Sequence, residues 1–131
     1  LPVYSSYSGS SSGSLLWPLA GGQISQYYMN NGHRGVDIRA PYGTPIYAAE
    51  DGRVTLSQTW STYGKCVVID HGGGLTTLYA HASTLIAKPG QTVKKGDVIA
   101  LVGSTANSTG NHLHFEVKVN GRLNNPLNFI Q

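Results

Sequence analysis

Apolar and polar residues alternate along this chain in short runs, and no stretch repeats at the 3.6-residue spacing of a long helix. The clearest run lies near the C-terminus, where Leu113, Phe115, Val117 and Val119 alternate with His112, His114, Glu116 and Lys118. That period of two predicts a strand with one buried face and one polar face. The same reading predicts strands over residues 36–39, 45–49, 52–59, 65–71, 75–81, 97–103 and 112–120. Turn signals separate them at Pro41–Thr44, Asp51-Gly52, Gly72–Gly74, Lys94–Gly96 and Asn120-Gly121. Residues 125–130 predict one terminal helical turn with Pro126 near its start. Residues 21–31, with Tyr27 and Tyr28, read as irregular. Many short strands at near-regular spacing predict an all-β fold, an antiparallel sandwich or open barrel.

Composition narrows this picture. The 131 residues include 17 glycines and 8 tyrosines and suit a single core, as expected for a turn-rich β module. Residues 4–14 are dominated by Ser and Gly, so residues 1–14 are expected to be a linker and 15–131 the folded domain. The start has neither the basic residues nor the apolar run of a cleavable signal peptide, and reads as a trimmed fragment. No segment reaches the roughly 20 apolar residues of a membrane span. A net charge of +3 suits anionic surroundings such as a cell wall, but without the dense Lys/Arg clusters of a nucleic-acid binder. The lone Cys66 excludes an internal disulfide framework and reads as a small buried hydrophobe.

The chemistry is carried by histidines. His112 and His114 fall two apart on one strand, so both imidazoles project from the polar face. His33 opens a second cluster with Asp37, four residues on. A straight strand would hold that pair about 13 Å apart, so the chain must bend, and Gly35 is where it is expected to do so. His33, Asp37 and one histidine of the 112/114 pair make the three-ligand set of a catalytic zinc site with an open fourth position. Such a site activates a water molecule near neutral pH and polarises a scissile carbonyl. Leu75, Thr77, Tyr79 and His81 are expected on one strand face. His81 and the spare histidine of the pair could then orient the water and stabilise the oxyanion or protonate the leaving amine. Glu116 reads as a solvated glutamate, with acceptance from a ligand imidazole as the alternative. His71, at the edge of a glycine turn, reads as structural.

Taken together, Gly32-His33-Arg-Gly-Val-Asp37, Leu78-Tyr-Ala-His81, Val93-Lys-Lys-Gly-Asp97, Gly103-Ser-Thr105 and Gly110-Asn-His-Leu-His-Phe-Glu116 resemble the lysostaphin- and LytM-type zinc endopeptidases that cut peptidoglycan peptides. The resemblance runs from about Trp17 to Phe129. It implies that His33, Asp37 and His114 hold one zinc ion and that His81 and His112 are the catalytic pair. Tyr27 or Tyr28 would correspond to a family tyrosine that helps hold the oxyanion. It also implies an antiparallel β core, related to biotinyl/lipoyl-like hybrid motifs, with a groove across the metal. The expected substrate is peptidoglycan peptide and the expected place of work extracytoplasmic, in the wall, periplasm or secreted; a monomeric domain is expected. Asn111, where several lysostaphin-like enzymes carry proline, and Phe115-Glu116, in place of Phe-Gln, argue against strict glycyl–glycine specificity. The competing expectation is a non-catalytic domain of the same fold, binding cell wall or activating a hydrolase, with zinc as a structural plug; a closed fourth position, for example one filled by a residue of segment 21–31, would support it.

Overall fold

The computed structural model describes residues 14–29, 32–104 and 110–130. The expected linker, Ser14 apart, lies outside the described residues, as do Thr105 of the glycine-serine-threonine motif and the end of segment 21–31. Ten strands are described: β1 (Gln23–Gln26), β2 (Val36–Arg39), β3 (Pro45–Tyr47), β4 (Gly52–Thr59), β5 (Lys65–Asp70), β6 (Leu75–Leu85), β7 (Thr92–Val93), β8 (Val98–Val102), β9 (His112–Val119) and β10 (Arg122–Asn124). They form one antiparallel sheet with the path β1-β2-β9-β6-β5-β4-β7. Off that path, β10 pairs with β9, and β8 pairs with both β3 and β6.

Val36 and Ile38 from β2, Val67 and Ile69 from β5, Tyr79 from β6, Ile99 from β8, and Leu113 and Phe115 from β9 all enter one buried cluster. Each set is the apolar half of a period-two run, so the alternation visible in the sequence becomes one core face. The other face of β9 carries His112, His114 and Glu116. Truncating a side chain as buried as Phe115 typically costs about 3–5 kcal/mol. The expected terminal helical turn is a short 3₁₀ segment, Pro126–Asn128, capped by the Asn125 side chain.

His71 is structural, as its place beside the glycine turn suggested. It is fully buried, with Nδ1 2.9 Å from the Asp51 carbonyl and Nε2 2.8 Å from the Thr77 hydroxyl. A carbonyl only accepts, so Nδ1 carries the proton and Nε2 accepts from Thr77. The Thr77 oxygen in turn lies 2.7 Å from the Tyr79 hydroxyl, which takes the Ala49 amide proton. The chain of four groups is satisfied end to end, and burial holds the imidazole below its ordinary pKa.

Two local expectations need correction. Part of the stretch read as irregular forms β1, a polar strand that among the described residues pairs only with β2, too weakly alternating to stand out. Strand β6 also runs on past His81 to Leu85, through a bulge that changes where His81 points.

Candidate metal centre and groove

Strands β2 and β9 lie side by side, with Asp37 opposite His114 and Arg39 opposite His112. This register alone brings the carboxylate of one motif to an imidazole of the other. Gly35 makes the approach possible, though by a different route from the one its sequence context suggested. Its φ is not in the left-handed region. Instead, a Cβ there would sit 3.0 Å from the Phe115 carbonyl carbon and from Glu116 Cγ, and closer still to the Phe115 oxygen. The residue is glycine because the β9 backbone passes through the space a side chain would need.

The loop before β2 then folds His33 back over Asp37. His33 Nε2 lies 2.9 Å and His114 Nδ1 2.7 Å from the same oxygen, Asp37 Oδ1. The three donor atoms lie within 4.8 Å of one another, and among the described residues no other group of His, Cys, Asp and Glu could hold a metal in this way. His33 Nε2 is buried and has no partner in hydrogen-bond geometry despite its close contact with Asp37. Two imidazole nitrogens and a carboxylate oxygen aimed at one point, one nitrogen otherwise orphaned, fit a divalent cation.

His114 is held from behind. Its Nε2 lies 2.8 Å from Glu116 Oε2, which also accepts from the Tyr63 hydroxyl at 2.8 Å. Arg34 Nε donates to the Tyr63 oxygen at 3.1 Å and lies 3.5 Å from Glu116 Oε2, while the Tyr63 ring stacks on His114 with centroids 5.9 Å apart. Glu116 is only 1% exposed, which corrects its reading as a solvated side chain. Its bond fixes the ring and leaves Nδ1 for the metal side. Burial pushes the Asp37 and Glu116 carboxyls up, but the bonds from His114, with the close approach of His33 at Asp37 and the Tyr63 bond at Glu116, outweigh it and hold both below their ordinary values. Burial pushes the Tyr63 hydroxyl up to about 12, with the Glu116 carboxylate adding to the effect, so it stays protonated as a donor.

His112 and His81 flank the centre, ring centroids 5.1 Å apart, with His81 6.1 Å from His114. His112 Nδ1 donates to the Gly110 carbonyl at 3.0 Å, and its Nε2 lies 3.7 Å from Asp37 Oδ2. His81 reaches this face by a backbone device. Lys65 pairs with Ala82 and Val67 with Tyr79, so Ala80 and His81 together stand opposite Cys66. His81 has φ of 63° at this bulge. On an unbroken strand it would follow Leu75, Thr77 and Tyr79 towards the core, as the alternation predicted. The extra residue turns it to the side of Ala80, the cross-strand neighbour of His114. Past the bulge the same edge of β6 leaves β9 and takes up β8.

A groove of about 770 Å³ runs along this face beside Asp37 and His112, walled by Gln23, Ser25, Gln26, Arg39 and Asn111. Tyr28 is tied through its hydroxyl to the Leu123 carbonyl at 3.4 Å, and Tyr27 is 55% exposed; neither lines the groove. Sequence reading missed Tyr63 and Arg34. Arg34 could have been suspected from its place between two ligand candidates, whereas nothing in the sequence links Tyr63 to residue 116.

Comparison with known proteins agrees with this geometry. The family model described as Peptidase family M23 matches residues 31–126. The DD-carboxypeptidase/endopeptidase Mpg of Neisseria meningitidis is 46% identical over 95 residues, covering 72% of this chain but 22% of that protein. The peptidoglycan DD-endopeptidase ShyA of Vibrio cholerae is 43% identical over 90 residues, covering 69% of this chain and 21% of that protein. A crystal structure described as an M23 peptidase of Pseudomonas aeruginosa superposes with a TM-score of 0.87 at 35% identity, over 95% of this chain and 53% of that one. The chain thus spans about a fifth of the length of these curated relatives.

Proposed function

The chain belongs to peptidase family M23, and from that premise we propose that it is a zinc-dependent endopeptidase acting on peptidoglycan stem peptides or cross-bridges. The observation that carries this reading is the meeting of His33, Asp37 and His114 at one point, with His81 and His112 beside it and an open groove lined by Asp37 and His112. A metal ion is expected from the family, and two nitrogens with one carboxylate oxygen favour zinc. When bound, it supplies Lewis acidity towards the scissile carbonyl and a lowered pKa for water.

The chain's own residues do the rest. His112, its Nδ1 proton held by the Gly110 carbonyl, presents a basic nitrogen to the reacting atoms and takes up a proton there. His81, 5.1 Å away, is placed to donate to the developing oxyanion or the leaving amine. Glu116 and Tyr63 hold His114 in one orientation. The groove admits an extended peptide, which the edge strand β1 can hold by backbone hydrogen bonds.

The rival reading, a zinc plug without catalysis, calls for a closed fourth position, filled for example by a residue of segment 21–31. Residues 23–26 form β1 and wall the groove, which favours an enzyme. Because Mpg and ShyA are named for DD-bonds, peptides of that class are the first substrates to test. Purified peptidoglycan would be digested with zinc-loaded protein and the products identified by mass spectrometry. New amine termini that vanish with a chelator and return with zinc are expected. Intact wall peptides at full zinc occupancy would refute the proposal. A wall substrate also places the work outside the cytoplasm.

A further inference from the structure

We propose that Arg39 reads a free carboxylate on the substrate, so that the preferred peptide carries an anionic group within about two residues of the scissile bond. This rests on the endopeptidase reading and specifies its substrate class.

Strand β2 alternates: Val36 and Ile38 are fully buried in the core, while Asp37 and Arg39 point to the other face. Arg39 therefore shares the face of the metal cluster, as the cross-strand partner of His112 and a wall of the groove. Among the described residues it is the only Lys or Arg lining that groove, and Asp37 is the only carboxylate, turned towards His33 and His114. Among the described residues no ion pair or hydrogen bond engages the Arg39 guanidinium. Arg34, by contrast, is committed to Tyr63 and Glu116.

An unengaged guanidinium on the wall of a substrate groove is suited to a planar anion, because its fork of donors matches a carboxylate with two parallel bonds. The α-carbons of residues 37 and 39 are about 6.6–6.8 Å apart on a strand. An extended substrate advances roughly 3.3–3.6 Å per residue, which places the matching carboxylate within about two residues of the bond at the metal. A divalent ion with one carboxylate ligand leaves the site cationic, so Arg39 adds to a field that already favours an anionic peptide. A neutral glycine bridge would leave this group unused.

The test uses zinc-loaded protein, wild type and Arg39→Gln, and two synthetic stem peptides that differ only in a free carboxylate or a carboxamide beside the expected scissile bond. Steady-state kinetics gives kcat and KM for each, and calorimetry of the separately synthesised products gives binding without turnover. Wild type should favour the carboxylate peptide by about tenfold or more, mainly in KM, and bind the corresponding product more tightly. In Arg39→Gln both ratios should collapse to about one, and Arg39→Lys should restore part of the preference. Added salt should shrink it. Equal treatment of the two peptides by wild type, or a preference that survives Arg39→Gln, overturns the assignment while leaving the peptidase intact. Failure to cleave either peptide, with a product preference that Arg39→Gln removes, keeps Arg39 as the carboxylate reader and overturns the peptidase reading instead. Neither cleavage nor preference overturns both.

Discussion

Substituting Gly35 by alanine should loosen the metal centre without touching a single ligand. The new methyl group would lie 3.0 Å from both the Phe115 carbonyl carbon and Glu116 Cγ, and nearer still to the Phe115 oxygen. Two of the three contacts are backbone atoms of β9, which cannot swing aside as the end of a flexible side chain can. The strands must part, by on the order of 0.5–1 Å, and functional geometry generally tolerates about 0.5 Å. Asp37 lies two residues from Gly35 on β2, and its partner His114 precedes Phe115 on β9. Opening the strands at residue 35 therefore pulls the carboxylate from the imidazole. Overpacking of this kind costs about 1–3 kcal/mol in stability. Loss of ligand positioning should cost about 10–100-fold in metal affinity, as for groups that orient metal ligands.

Competition with a graded chelator series would measure the affinity, and denaturant unfolding of the metal-free protein the stability. Gly43→Ala is the control: its φ of 85° penalises alanine, but nothing lies within 4 Å of the added methyl. It should cost about 1 kcal/mol of stability and leave metal affinity as in the wild type. If Gly35→Ala binds zinc as tightly as the wild type, the spacing of β2 and β9 does not set the metal site, and the reasoning fails.

The contrast between Gly35 and His81 also shows what can be read from a linear sequence. Period-two alternation found β2 and β4 with their observed ends and β9 to within one residue, because burial of alternate side chains is a local property of the chain. The ligand candidates were legible too, since scarce charged residues clustered around paired histidines point to a metal. What escaped reading depends on neighbours distant in sequence. Gly35 serves the β9 backbone some 80 residues away, so its role as an opening for Phe115 has no local signature. His81 needed an extra residue in the ladder and a left-handed φ, a conformation histidine tolerates better than most residues but which alternation cannot reveal. Glu116 looked like a solvent position on the polar face of β9. It became buried because Tyr63, from the turn between β4 and β5, reaches over to donate to it and Leu78 stands opposite it on β6.

Replacing His33, Asp37 or His114 by alanine should remove metal and activity together, read by elemental analysis beside a peptide-cleavage assay. Alanine at His81 or His112 should retain metal while lowering kcat by about 10²–10⁴-fold, and full activity in either would assign their roles elsewhere. Glu116→Leu should weaken zinc binding about 10–100-fold, and Glu116→Gln, whose side-chain oxygen can still accept from His114, much less. The last concerns pH and lies away from the metal. Burial lowers the pKa of His71, so the unfolded chain takes up a proton on this group more readily than the folded one. The stability linked to the neutral ring is fully present above about pH 6.5 and is lost as pH falls through that value towards the folded pKa. A metal-free His71→Asn protein cannot titrate at this position. The unfolding free-energy gap between wild type and variant, measured in denaturant from pH 7.5 to pH 5, should therefore narrow with acid. A gap that stays constant or widens would mean the Asp51–His71–Thr77 chain accepts a second ring proton without penalty, against the satisfied one-proton arrangement at its core.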